Sequence, residues 1–394
     1  MTPLDLKTLS TAVQENAAAF RCKRTLQPAG GPGTKVFPPT YAGAVYAEEK
    51  RKLPGREQPV PCVLLDSVQS QANRMEEALQ QAIDSGRMKL PLIEVDFSGA
   101  DLLEKIDKIT SLQAPHRIAD AILRDSEENG VMFPASESGK ALGAASAANA
   151  TPLFKLCPTA LVFGMWDSTG LKGGLGAKFE RAVVSEIVGI DYEKGEKNRG
   201  VRRDPLEASK AVLVKGSRLD WKVADAGAAK GTMRPSEINH GSVPFDNPNG
   251  GCTIASAEQT ITLSLIALRR LRFPVNGTPT PQIDGAARTV LAALALCAAT
   301  LAAENGLDLR SRCLLWPDSH MGWELLAKPG QPPETFTLDG PGAIKLLNDA
   351  VAHAATLGLK WLDKPITLKP SKQLTELVRK SQEVLAKTGG EGED

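Results

Sequence analysis

The spacing of apolar and polar residues switches repeatedly between a helical and a strand-like period along this chain. Leu6, Leu9, Val13 and Ala17 fall on one helical face and predict a helix over Leu6–Phe20. Cys62–Leu65 reads as a short strand. DSVQSQANRMEEALQQAI follows it as a helix starting at Asp66 or Ser67 and closing near Gly86. Residues 90–97 alternate in their second half and predict a strand, and Pro115–Leu123 predicts a helix with proline in its first turn. Strands are also predicted at Ala160–Trp166 and, from AVVSEIVGID, at Ala182–Asp191. Ser256 with Gln259 makes a capping box before ITLSLIALRRLRF, which predicts a helix there, and a second long helix runs from Ala286 towards Asn305. Arg312–Pro317 predicts a strand, Ala343–Leu357 a helix, and Ser371–Lys387 a last helix before a polar tail. Strands and helices alternate irregularly and without a fixed repeat, the signature of an α+β body with insertions.

Composition changes this picture in two ways. The 35 glycines and 27 prolines exceed the usual share, so long irregular excursions are expected on a body whose 394 residues allow two domains or one decorated domain. The formal net charge of +1 excludes a uniformly basic coat, yet charge is segregated along the chain. Residues 193–234 hold eleven Lys or Arg against six Asp or Glu, whereas residues 74–137 hold thirteen acids against seven bases. Four basic clusters stand out: Arg21, Lys23 and Arg24; Lys50, Arg51, Lys52 and Arg56; Lys197, Arg199, Arg202 and Arg203; and Arg269, Arg270 and Arg272.

The six scattered cysteines contain no CxxC pair, which argues against a zinc ribbon and a secreted disulfide scaffold. The first twenty residues lack the pattern of a secretory signal, and Val290–Ala303 is too short and alanine-rich to span a bilayer. A cytoplasmic protein with reduced thiols is the expectation. Gly170–Lys178, GLKGGLGAK, lacks the spacing of a phosphate-binding P-loop, and Phe179 stands where a magnesium-binding hydroxyl belongs. Its glycines still allow backbone amides to approach a phosphate, with Lys172, Lys178 and Arg181 beside them, although spacing alone favours a tight connection with solvent-facing lysines. No cysteine has an identifiable base, and Asp318-Ser319-His320 is read as a turn, because the triplet is too unspecific to define a metal or proton-transfer site.

Two segments carry a family likeness: VLLDSVQSQANRMEEAL, Val63–Leu79, and LVFGMWDSTGLKGGLGAKFERAVVSEIVGID, Leu161–Asp191. Both resemble the type I-G (formerly I-U) CRISPR-associated RAMP-superfamily backbone protein, and the likeness extends over most of residues 10–365. The resemblance implies a modified RRM/ferredoxin-like palm with large finger and thumb insertions. Residues 1–365 would be one decorated domain with an RNA-facing insertion over 193–250, followed by a C-terminal helix and tail over 366–394. It further implies a noncatalytic subunit, without cofactor or metal, that oligomerises along the spacer of a CRISPR RNA in a Cascade complex and presents it to target DNA. Its partners would be further copies of itself, the large Cascade subunit, a guide-processing and capping subunit, and a helicase-nuclease recruited afterwards.

On this resemblance the RNA-binding residues are Asn73 and Arg74 in the QSQANRME segment; Lys172, Gly173, Gly174, Gly176, Lys178 and Arg181 in the glycine segment; and Lys197, Arg199, Arg202 and Arg203 in the insertion. The K/R-G-F/Y-G/A-F-V-x-F/Y motif of RNA-recognition modules is absent from the sequence, which favours backbone tracking over base stacking. The competing readings are a metal-dependent nuclease or nucleotide-processing enzyme, and a scaffold that binds protein alone.

Overall fold

The computed structural model describes residues 2–167, 176–196, 198–217, 220–224, 231–247, 250–362 and 364–388. The chain forms a mixed α+β fold around a central sheet, consistent with the fold class the resemblance implies. Its main strands are β1 (Ala19–Pro28), β2 (Val60–Asp66), β3 (Val183–Lys194), β4 (Cys252–Ser264), β5 (Leu314–Pro317), β6 (Gly322–Leu326) and β7 (Glu334–Thr337). They lie in the order β7-β6-β1-β4-β3-β2, with Thr2–Pro3 and Glu48–Arg51 at the two edges. β5 pairs with the far end of β1, where β6 no longer reaches. The longest ladder joins β3 to β4 antiparallel, from Val183 opposite Leu263 to Lys194 opposite Cys252. Residues 195–251 therefore leave and re-enter the sheet at one end of its two longest strands.

Four helices cover one face of this sheet or pack on those that do: α1 (Leu6–Gln14), α2 (Val68–Asp84), α3 (Pro281–Glu304) and α4 (Gly340–Thr356). Ser67 caps α2 by accepting the Ser70 N–H at 3.2 Å, and Ala72, Met75, Leu79 and Ala82 face inward at helical spacing. α3 is buried on nearly every side. By length and apolarity it could cross a bilayer, but here 83% of its apolar window is covered by the sheet and the other helices, as expected of a core helix. A second, five-stranded sheet includes Ile93–Asp96 and Ile366–Pro370 as parallel neighbours, which ties the C-terminal segment to the body. The helix Lys372–Thr388 follows.

Several sequence expectations fail locally. The first helix ends at Gln14, and the stretch beyond it enters β1, whose inward face is Phe20, Cys22, Arg24 and Leu26. Ala160–Trp166 is not one strand: Thr159–Phe163 is helical, Gly164 turns the chain at φ +80°, and only Met165–Trp166 is extended. The predicted helix after Ser256 is the strand β4, and its helical part shrinks to Leu265–Arg269. Strand pairing on both sides outweighs the local capping signal, and Thr260, Ile261, Thr262 and Leu263 alternate outward and inward as a strand requires. Pro115–Leu123 yields a short 3-10 turn at Arg117–Ala119 and a helical turn at Ala121–Arg124.

All six cysteines are free and buried. Burial pushes the Cys252 and Cys297 thiols up to about 12 and Cys22 up to about 11. Because the folded state resists thiolate formation, this contribution to stability is complete below the ordinary thiol pKa and is lost as pH rises beyond it. Native protein at pH 8 is expected to leave a thiol reagent unreacted until denaturant is added, and its melting temperature is expected to fall above pH 9. A thiol that reacts stoichiometrically in the native state would contradict this account.

Candidate nucleic-acid interface

The two faces of the central sheet differ in chemistry. The outer face shows Arg21, Lys23 and Thr25 on β1, Thr262, Thr260 and Glu258 opposite them on β4, and Val184 and Glu186 on β3. Its charges are largely paired: Arg21 with Glu324 at 2.6 Å, Lys23 with Glu258 at 3.1 Å, and Arg51 with Glu186 at 2.8 Å. Such half-exposed pairs add little stability, but they offset the cations a phosphate chain would seek.

The inner face holds a buried polar chain beneath α2. Asp66, fully buried at the end of β2, accepts from Gln71 Nε2 at 2.6 Å, Arg74 Nε at 3.0 Å and Arg310 Nη2 at 3.3 Å. Gln71 Oε1 in turn accepts from Ser185 Oγ at 2.7 Å and Gln259 Nε2 at 2.8 Å, and Gln259 Oε1 accepts from Arg24 Nε at 3.0 Å. Arg74 also donates Nη2 to the Leu309 carbonyl at 2.6 Å. The predicted RNA contact Arg74 is thus half-buried and engaged by a carboxylate and a distant loop, while its neighbour Asn73 is exposed on α2.

Around the glycine segment, Met165–Trp166 pairs antiparallel with Lys178–Phe179. Trp166 is 56% exposed and Lys178 Nζ lies 5.1 Å from its ring centroid, a cation–π contact at the base of the turn. Gly176 is required here: a Cβ would sit 1.9 Å from the Asp167 carbonyl oxygen. Arg181 points inward, donating to the Phe163 carbonyl at 3.2 Å, and its neighbour Arg117 clamps the buried Glu76 through bonds of 2.5 and 2.8 Å. Burial pushes the Glu76 carboxyl up even so, with Arg117 and Arg181 opposing the shift. Lys172, Gly173 and Gly174 lie outside the described residues, as does Lys197.

The insertion forms small sheets of its own, outside the central one. Asn198–Arg202 pairs with Val243–Asn247, and Leu213–Ser217 pairs with Asp220–Val223 and Thr232–Met233. Arg199 lies in the first of these strands; its side chain is outside the described residues. Arg202 and Arg203 are exposed and make no ion pair among the described residues.

The four basic clusters therefore separate by environment. The first is paired outward or, at Arg24, buried. Of the last, Arg269 donates to the Ala17 carbonyl at 2.8 Å, Arg270 meets Glu180 at 2.5 Å and Arg272 meets Asp284 at 2.7 Å. Lys50, Lys52 and Arg56 are exposed and unpaired among the described residues, like Arg202 and Arg203. Strand pairing brings the edge strand that carries Lys50 to the end of the sheet where the insertion departs. Arg51 lies opposite Val60 on β2, Cys62 lies opposite Ile190 on β3, and Lys194 meets Glu48 at 3.1 Å where the insertion begins. Sequence reasoning singled out Lys50, Lys52 and Arg56 as a cluster but not as site residues; the run EEKRKLPGREQP was the available signal.

Among the described residues, no group of three or more His, Cys, Asp or Glu converges as a metal site. Residues 20–194 match a family model described as CRISPR-associated protein GSU0053 (Cas_GSU0053), a CRISPR-associated family of the RAMP superfamily. The matched part begins within β1 and ends at the last residue of β3, so this part of the chain is similar to that family. No curated protein matches the chain.

Removal of the Asp66 carboxylate would leave Arg74, Arg310 and Gln71 without their shared acceptor. Asp66→Ala is expected to lose about 3–5 kcal/mol in urea unfolding. Arg74→Met is expected to lose less, because two donors to Asp66 remain. Equal losses would show that the network is not centred on Asp66.

Proposed function

We propose that this protein is a noncatalytic RNA-binding backbone subunit of a type I-G CRISPR complex. The observation that carries the proposal is the basic end of the central sheet. There the two longest strands open into the insertion, which carries exposed Arg202 and Arg203, and the edge strand ending at Arg51 leads into exposed Lys52 and Arg56. Affinity for a nucleic-acid backbone is largely electrostatic, so unpaired cations gathered at one end suit a phosphate track better than cations already matched to carboxylates. The family likeness of residues 20–194 supports the CRISPR assignment.

On this reading the central sheet with α2 and α3 is a ferredoxin-like palm, and residues 193–250 are its RNA-facing insertion. Copies of the chain polymerise along the guide spacer, the protein holds the backbone, and the guide bases pair with target DNA. The large subunit, the guide-processing and capping subunit and the helicase-nuclease would complete the pathway. Asn73, Lys178, Arg202 and Arg203 are the candidate contacts with exposed side chains. Arg74 and Arg181 support the surface from within, and Lys172, Gly173, Gly174, Lys197 and Arg199 keep the roles the resemblance implies.

Purification with native partners, followed by sequencing of extracted RNA, tests the proposal. A discrete CRISPR-derived RNA protected over its spacer is the expected result; an assembly that consistently lacks RNA would sink it. Arg202→Glu with Arg203→Glu is expected to reduce RNA retention equally across spacer sequences and to flatten its salt dependence. Loss restricted to one spacer would contradict backbone tracking.

A further inference from the structure

The loop that leaves β1 and the loop that precedes β5 meet at the insertion end of the central sheet. The segment PAGGPGTK, Pro28–Lys35, leads from β1 to Val36, which bridges to Cys252, the first residue of β4. Lys35 Nζ donates to the Gly250 carbonyl at 3.3 Å, where the insertion returns. Phe37 donates its backbone N–H to the Arg312 carbonyl at 3.2 Å, and the Arg312 guanidinium lies 3.7 Å from the centroid of the Phe37 ring. The ring also abuts the returning chain, since a Cβ at Gly251 would sit 2.8 Å from Phe37 Cζ. Two arginines of one loop have opposite fates here. Arg310 reaches inward to the buried Asp66, whereas Arg312 is exposed and makes no ion pair among the described residues. Arg312 also has φ +63°, in the left-handed region that a residue with a side chain rarely occupies. Its turn is closed by the Cys313 N–H to the Arg310 carbonyl at 2.9 Å and the Leu309 N–H to the Cys313 carbonyl at 3.0 Å.

We propose that Arg312 binds a phosphodiester of single-stranded RNA at the root of the insertion, with Phe37 as its platform and Lys35 as a second cation. The inference rests on the RNA-binding reading above and places a contact on Arg312, outside the matched residues 20–194. An aromatic ring against the face of a guanidinium fixes its plane and leaves the N–H groups along its edge. Those groups can then form paired bonds to two phosphate oxygens. Lys35 spends one of the three donors of its ammonium on Gly250 and keeps the others. Neighbouring carboxylates do not cancel these cations. Glu48 is matched to Lys194 at 3.1 Å, and Glu193 projects to the opposite face of the sheet from its neighbour Tyr192, which packs against the inner core. Glu196 is exposed just beyond Gly195, and with it counted the group still keeps a positive excess. A backbone position that suits glycine but carries an exposed arginine points the same way, because such strain is retained where the side chain has a task.

The test uses the full chain and fluorescein-labelled oligouridine or oligoadenosine of spacer length, with anisotropy read across a sodium chloride series. Arg312→Gly is expected to weaken binding about fivefold or more and to lower the salt slope by about one. Its melting temperature is expected to stay equal or rise, because glycine accepts the left-handed backbone without strain. Arg312→Lys is expected to keep the salt slope yet bind several-fold more weakly, since the charge remains and the planar fork is lost. Phe37→Leu is expected to weaken binding with the salt slope unchanged, and Phe37→Tyr to retain wild-type affinity. Wild-type affinity and salt slope in Arg312→Gly would overturn the site. A loss seen with oligouridine but absent with oligoadenosine would overturn the phosphodiester assignment. If Arg202→Glu with Arg203→Glu weakens binding while Arg312→Gly does not, the proposed function stands without this contact. Failure of the wild-type protein to bind either RNA would remove both.

Discussion

The fold depends on satisfying one carboxylate that has no contact with water. Asp66 ends β2, and its donors come from α2 and from the loop before β5. Removing a carboxylate from water costs several kcal/mol unless donors surround it. Those donors reach their positions only when β2, α2 and the distant 308–310 segment are assembled. Gln71 extends the requirement to Ser185 on β3 and Gln259 on β4, and Gln259 extends it to Arg24 on β1. A single polar chain thus ties together four adjacent strands that the hydrophobic core alone would leave freer to slide.

That chain also explains how a nearly neutral protein presents a basic region. Arg24, Arg74, Arg117, Arg181 and Arg310 bond to interior carboxylates, amides or carbonyls, and Arg21, Lys23 and Arg51 are matched to surface acids. The exposed cations without such partners at the insertion end are the minority that can act on a ligand. Net charge counts all of these alike, whereas a phosphate backbone responds only to cations not already neutralised.

Legibility in the sequence follows the range of the forces involved. The start of α2 was readable because Ser67 and the inward stripe lie within one helix. β3 was readable because its apolar run ends in polar residues. β4 was missed because Ser256 and Gln259 imitate a helix start, while the decisive pairing comes from β1 and β3. β1 was hidden by Arg24, a charged residue on an otherwise apolar inward face. Within the site, Arg74 looks like a surface cation on a helix. The carbonyl that holds it belongs to Leu309, far along the chain, and no local pattern records that contact. By contrast, the exposed cations of the insertion were legible as a simple local charge excess.

The placement of β4 between β1 and β3 has a consequence for synthesis. The principal neighbour of β1 emerges from the ribosome more than two hundred residues after β1 itself. At roughly 5–20 residues per second the ribosome needs about 10–45 s to deliver it. During that interval Phe20, Cys22 and Leu26 lack their final cover, and β3 has only β2 to pair with. The part of the chain that matches the family model contains β2, β3 and nearly all of β1, but not the strand that joins β1 to β3. A nascent chain halted after residue 194 would therefore be a client for chaperones rather than a small folded domain.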